Sequence, residues 1–297
     1  MGFEIMKVAI IGSGVVGHAT GKGLAQMGND VVFYDVNSRT IERLEREGLS
    51  VAHSLEEAVE RSQVLILCLP TPPSAEGFDL SYLYRVVDRL ESLIRDHMII
   101  VRSTVLPGTT RELASILPAE RLLYIPEFLR EAYALEDFLN PHRIVIGAQS
   151  EAAFKVGETL YRGFRAPIIK TDWETAELGK LVSNSFLASK ISFFNEVWLL
   201  CRKLGIDTTK IETIAALDAR IGLYGVKGGT PFQGACLPKD TEAMIRFAKA
   251  NGQIPMVLES TVRVNQLLMS PPGQLLAPLQ IQPSAPGRIR SMETNLR

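Results

Sequence analysis

Cysteine is scarce, runs of apolar residues are short, and neither sign of charge prevails. Three cysteines, Cys68, Cys201 and Cys236, make an odd set without metal-ligand spacing, and two of them fall within apolar patterns. This excludes a disulfide framework and a zinc site, and a reducing compartment is expected. No apolar run approaches the roughly 20 residues that span a bilayer, and the N-terminus carries Glu4 and soon reaches glycines, fitting neither a secretion signal nor an anchor. No membrane partner and a cytoplasmic location are the expectation. Lys plus Arg number 32 against 33 Asp plus Glu, so there is no basic field for nucleic acid. What the chain does have is 297 residues with 46% hydrophobic content, enough to fill two cores.

Lys7–Ile11 reads as a buried strand and breaks at once into Gly12-Ser13-Gly14-Val15-Val16-Gly17. A helical stretch to Met27, a turn at Gly28-Asn29 and a second strand, Val31–Tyr34, ending in Asp35 complete a βαβ unit. Gly12 permits a tight turn, Gly14 lets backbone approach a pyrophosphate, and Gly17 lets helix pack on strand. Gly12, Gly14, Val15, Val16, Gly17 and Asp35 are therefore expected to bind a dinucleotide. A carboxylate at the ribose repels a 2′-phosphate, so NAD is expected over NADP.

The alternation continues through strands at 64–69, 98–102, 122–125 and 143–146, with helices at 38–47, 55–61 and 80–95. It predicts an α/β fold, a Rossmann-type doubly wound parallel sheet. Ligands sit outside the carboxyl ends of such strands, where Thr71, Thr104 and Glu127 stand. After a last short strand near 166–170, the capping-box pattern Thr171-Asp172-Trp173-Glu174 opens a helix that meets neither proline nor a stop before Gly205. At about 1.5 Å per residue it reaches roughly 50 Å. Its apolar residues spread over more than one stripe, which implies burial on two sides and a homodimer through the 172–204 helix. Lys180 and Asn184 share one face of this helix and suit an anion or a developing oxyanion.

Further on, TPFQGACLPKDT puts Cys236 just before Pro238 and a helical pattern, with Lys239 and Asp240 following. A helix N-terminus and a nearby lysine favour thiolate over thiol, so a nucleophilic Cys236 is expected, with Asp240 on the face from which the sulfur projects. A small buried cysteine in a glycine-rich loop is the plainer alternative.

Together, GSGVVG with Asp35, LPTP followed by FDLSYL, STVLPGTT, PEFLREAYALEDFLNPHRIVIG, TAELGKLVSNSFLASKISFFNEV, DARIG and FQGACLPKDT resemble the UDP-glucose/GDP-mannose 6-dehydrogenase family over residues 6–267. The resemblance implies NAD-dependent four-electron oxidation of a nucleotide-sugar primary alcohol to the carboxylate through a thioester on Cys236. It implies oxyanion stabilisation by Lys180 and Asn184, proton transfer by Asp240 or Lys180, and positioning of the hydrolytic water by Thr104 and Glu127. Thr71, Thr104 and Lys239 would lie near the cofactor. Glu127, Phe128, Leu129, Lys180, Asn184, Gly234 and, across a dimer, Arg220 would meet the substrate. Pro231 and Gln233 stand where the family has glycines, Ala132 stands where it often has one, and the second α/β domain of the family has no counterpart. The expected organisation is an NAD-binding domain over 1–168, an all-helical domain with the dimerisation helix and cysteine loop over 169–270, and a disordered Pro/Gly-rich tail over 271–297. A two-electron dehydrogenase of a smaller alcohol and a catalytically impaired NAD-binding dimer are the competing readings.

Overall fold

The computed structural model describes residues 5–270, so the expectation of a disordered tail at 271–297 lies outside the described residues. The chain runs β1 (Lys7–Ile11), α1 (Val15–Gln26), β2 (Asp30–Tyr34), α2 (Ser38–Arg46), α3 (Leu55–Glu60), β3 (Val64–Leu67), β4 (Pro73–Ser74), β5 (Gly77–Phe78), α4 (Ser81–Leu93), β6 (Met98–Val101) and α5 (Thr109–Leu113). It continues with β7 (Leu122–Tyr124), α6 (Ala134–Leu139), β8 (Ile144–Gly147), α7 (Glu151–Leu160) and β9 (Ile168–Thr171). Side chains of Asn37, Ser54 and Ser150 accept from the first-turn N–H groups of α2, α3 and α7, which fixes where these helices start.

Seven strands form one sheet in the order β2-β1-β3-β6-β7-β8-β9. Alternation along each strand divides the core between its faces. Ala9, Ile11, Leu65, Leu67, Ile99 and Val101 pack with Leu55 of α3 and Leu83 and Val87 of α4. Val8, Ile10, Val64, Ile66 and Ile100 pack with Leu24 of α1, Phe138 of α6 and Leu160 of α7. The sheet is thus wound on both sides, and its strand order reverses between β1 and β3.

One expectation needs correcting. β1, β2, β3, β6 and β7 are parallel, but β8 meets β7 antiparallel, and β9 follows β8. An antiparallel neighbour begins where the previous strand ended, so the 125–143 connection stays at one end of the sheet without crossing it. That connection lies beside the carboxyl ends of the parallel strands, where a ligand is handled. The β4–β5 hairpin was also not foreseen. It lies against the C-terminal helices, where Arg246 donates to the carbonyls of Ser74 and Ala75 at 2.9 and 2.7 Å.

From β9 the chain enters α8 (Trp173–Leu204), followed by α9 (Thr208–Ala216), α10 (Leu237–Ala250) and α11 (Met256–Met269). Asp172 caps α8 by accepting from Thr175 N–H, and Gly205 ends it in the left-handed region at φ 68. The helix departs from an ordinary amphipathic one in carrying polar residues among the apolar ones on its buried side. Glu177, Lys180, Asn184, Ser192 and Asn195 follow the helical repeat along its buried side, packed toward the sheet, α10 and α11. Val182, Phe186, Phe193, Leu200 and Leu204 follow the same repeat on the opposite side and are exposed, Phe186 to 65%.

Candidate functional site

The glycine loop is set by contact distances. A Cβ on Gly17 would lie 1.9 Å from the Gly12 carbonyl oxygen, and one on Gly12, at φ +92, would lie 2.5 Å from that of Cys68. A Cβ on Gly14 would meet nothing within 4 Å. Two of the glycines are therefore required by the fold, while the third keeps an approach to the backbone open. At the end of β2, Asp35 accepts from the N–H groups of Ser13 and Asn37 at 2.8 and 2.9 Å and keeps further lone pairs. Arg43 donates to the Ser13 carbonyl at 3.0 Å. An open Gly14, the N-terminus of α1 and a carboxylate at the tip of β2 fit a dinucleotide laid across the carboxyl ends of β1 and β2. Val15 is exposed on the first turn of α1 with Val16 beside it. Thr71 and Thr104 are buried just beyond β3 and β6, and neither lines the large cavity described below. Ser103, which was not singled out, joins those two strand ends by accepting from Leu69 N–H and donating to its carbonyl, both at 2.8 Å.

Two coupled pairs lie beyond the ends of β7 and α10. Lys180 Nζ is 2.7 Å from Glu127 Oε1, with both side chains buried. Burial pushes the Glu127 carboxyl up, but the Lys180 charge and hydrogen bond, the Leu129 N–H and the Arg102 charge outweigh it, and the net shift is down. Asn184 Nδ2 donates to Asp240 Oδ2 at 2.6 Å, and Lys239 Nζ is 2.6 Å from Asp240 Oδ1 and 4.6 Å from the centre of the Phe78 ring. Four residues far apart in sequence thus form two anion–donor pairs joined through α8.

Cys236 is the N-cap residue of α10. The surroundings of the sulfur oppose the expected thiolate. Burial and the Glu127 carboxylate push the thiol pKa up, and Asp240 adds to them, while Lys180 and Lys239 pull down by less. Each lysine is already committed to a carboxylate, so the sulfur faces pairs that are close to neutral. Cys68 is further from ionisation, pushed up to about 12 by burial.

Cys236, Asn184, Phe128, Leu129 and Gly234 line a cavity of about 800 Å³ together with Arg143. Glu127 sits directly behind, between the lining residues Pro126 and Phe128. Arg220 is not brought here. Its guanidinium is exposed to solvent and pairs with Asp218 at 2.6 Å, although Tyr224 of the same loop lines the cavity.

Three buried residues hold the site and were not anticipated. Asn195 accepts from Gly229 N–H at 2.8 Å and donates to the Thr230 carbonyl at 3.0 Å. Asn265 accepts from Phe232 N–H at 2.7 Å and donates to its carbonyl at 3.0 Å, so the two asparagines pin the backbone just before Cys236. Glu177 accepts from Gly108 N–H, Thr110 N–H and the Thr110 hydroxyl at 2.7, 2.7 and 2.6 Å, tying the loop after β6 to α8. The signal for all three is the one that marked Lys180: a polar residue at a core position of an apolar helix. Among the described residues no cluster of metal-ligating side chains occurs, and no helix is long and apolar enough to cross a membrane.

The chain matches two models of one family. Residues 45–165 match the NAD binding domain of the UDP-glucose/GDP-mannose dehydrogenase family, and residues 174–267 match its central domain. Residues 2–79 also match the NAD binding domain of D-isomer specific 2-hydroxyacid dehydrogenases. UDP-glucose 6-dehydrogenase TuaD of Bacillus subtilis is 34% identical over 88% of this chain and 63% of its own length. UDP-glucose 6-dehydrogenase AglM of Haloferax volcanii is 33% identical over 88% of this chain and 69% of its own. The structure of a UDP-glucose dehydrogenase from the hyperthermophilic archaeon Pyrobaculum islandicum superposes with a TM-score of 0.81 at 37% identity, covering 89% of this chain and 69% of that one. The chain therefore spans about two thirds of the length of these relatives.

Proposed function

The chain belongs to the UDP-glucose/GDP-mannose dehydrogenase family, and from that premise we propose that it oxidises the primary alcohol of a nucleotide sugar to the carboxylate, using two NAD and Cys236. The observation that carries this reading is a cavity lined by Cys236 and Asn184, with Asp240 bonded to Asn184 and the buried Lys180–Glu127 pair close enough for its charges to act on the sulfur. Gly12–Gly17 and Asp35 would hold NAD, which would supply a hydride acceptor in each of two oxidations.

The chain's own groups handle the protons and the carbonyl. In the first oxidation the alcohol gives up a hydride and a proton, and Asp240 receives the proton through water while Lys180 and Asn184 stabilise the oxygen. The neutral Cys236 thiol then adds across the aldehyde C=O, sulfur to carbon and proton to oxygen, which accords with its raised pKa. Loss of a second hydride and proton leaves a thioester. Water positioned by Thr104 and Glu127 cleaves it to carboxylate and regenerates the thiol.

A second copy of the chain covers the apolar stripe of α8, because a row of exposed Phe and Leu over five turns is stable in water only against a like surface. The same association would carry Arg220 toward the partner's substrate.

A screen of nucleotide sugars, read as NADH formed per sugar consumed, tests the reading. Two NADH per sugar, abolished by Cys236→Ala, is the expected result. One NADH per sugar, unaffected by that substitution, would establish a two-electron alcohol dehydrogenase.

A further inference from the structure

The basic side chains around the cavity are not equally free. Arg130 is neutralised by Asp137 at 2.6 Å. Arg102 is buried and donates to Thr20, Tyr161 and the Ile125 carbonyl. Arg143, just before β8, differs from both: among the described residues it has no carboxylate within ion-pair distance, and its one hydrogen bond is to Ser183 Oγ at 2.9 Å. Its guanidinium lies 3.8 Å from the centre of the Phe128 ring, close stacking that offsets a charge without using its N–H groups. Ser183 is itself fixed, its hydroxyl donating to the Gly179 carbonyl at 2.8 Å. Arg143 is thereby locked to the helix that carries Lys180 and Asn184, on the wall that Cys236 shares. Burial draws its pKa down, as expected for a cation without a counter-charge.

We propose that Arg143 binds a phosphate of the substrate, using the N–H donors left free by Ser183 and Phe128 to grip the diphosphate while the sugar reaches Cys236. The identity of the anion rests on the nucleotide-sugar reading above. The diphosphate of NAD belongs to the separate glycine loop, none of whose residues lines this cavity. Both Arg–phosphate geometry and the rigid stack favour a forked contact that lysine cannot reproduce.

The test uses Arg143→Gln and Arg143→Lys in the full chain, with UDP and inorganic pyrophosphate as probes by calorimetry and UDP-glucose by steady-state kinetics. Loss of a charge-assisted contact predicts a rise of about ten- to a hundredfold in the UDP dissociation constant and in the UDP-glucose KM for Arg143→Gln. The kcat, NAD affinity and melting temperature should change little, and Arg143→Lys should recover only part of the affinity. Unchanged UDP affinity in a folded Arg143→Gln chain would overturn the inference. So would a loss matched by NAD affinity and melting temperature, which is what a merely structural role predicts. Should Arg143→Gln not fold, Arg143→Lys decides: several-fold weaker UDP binding supports the inference, and native affinity refutes it. A wild-type chain that oxidises no nucleotide sugar yet binds UDP through Arg143 would sink the proposed function alone. One that binds neither UDP nor pyrophosphate would sink the inference.

Discussion

Replacing Glu127 by Gln should make Cys236 more reactive while making the enzyme worse. The Glu127 carboxylate is one of the causes that hold the thiol up, and it also occupies the Lys180 ammonium that pulls the thiol down. The substitution removes the first effect and releases the second, so both changes lower the thiol pKa. Should Lys180 shed its proton when left without a counter-charge, its downward pull on the thiol is lost too, but that pull is smaller than the push of Glu127, so the direction is the same and the shift smaller. For each unit by which the pKa falls, the thiolate fraction at pH 7 rises about tenfold. Intrinsic nucleophilicity falls with a Brønsted slope of about 0.4–0.5, leaving a gain of roughly threefold in rate per unit. The assay is iodoacetamide labelling of Cys236 at pH 7, followed by mass spectrometry, with buried Cys201 as the internal control. Lys180 and the Leu129 N–H bind different oxygens of Glu127, so Gln keeps an acceptor for only one of them and turns an amide NH2 on the other, and the stability cost should approach the ~3–5 kcal/mol of stripping one partner from a buried pair. Turnover should fall because the hydrolytic water loses its carboxylate. A folded Glu127→Gln chain whose Cys236 labels no faster than wild type would refute the electrostatic account of the site.

Three further outcomes are expected. Gly14→Ala, with open space at its Cβ, should leave the melting temperature unchanged and weaken NAD binding at least tenfold, whereas Gly17→Ala, whose Cβ would lie 1.9 Å from the Gly12 carbonyl oxygen, should lower both; calorimetry and thermal melts distinguish them. Burial raises the Glu177 pKa from 4.5 to about 7 against the opposing donors of Thr110 and Gly108. The folded chain then holds a proton that the unfolded chain releases, so this contribution to stability is complete below about pH 4.5 and is lost as pH rises through about 7, roughly 3 kcal/mol in total. Denaturant titrations at pH 5 and pH 8 should differ less in Glu177→Gln than in wild type. Phe193→Glu, in the exposed stripe of α8, should shift sedimentation from dimer to monomer without altering the circular dichroism of the chain; a wild-type monomer would refute the proposed association.

Much of this architecture was legible because it is local. The strand-turn-helix at Gly12–Gly17 and the cap at Asp172 with its stop at Gly205 depend on neighbours a few residues away, and the structure has them where the pattern predicts. The direction of β8 was not legible, since a short apolar run carries no sign of which way it runs. The groups that oppose a thiolate at Cys236 were not legible for a related reason. A helix end can be read from sequence, but the burial and the carboxylates of Glu127 and Asp240 that oppose it come from tertiary packing. Asn195 and Asn265 were missed although the rule that flagged Lys180 and Asn184 applies to both.

Because α8 carries Glu177, Lys180, Asn184 and Asn195 on one unbroken rod, their alignment is a matter of phase. A single residue inserted at the exposed Gly179 would turn everything beyond it by about 100°, putting Lys180 in the place of buried Leu181, Phe193 in that of buried Phe194 and Asn195 in that of exposed Glu196. Seven inserted residues would restore the angle but displace the groups by about 10 Å along the axis. The rod therefore tolerates substitutions on its outer side far better than any change in its length, and the spacing from Glu177 to Asn195 is as much a part of the site as the residues themselves.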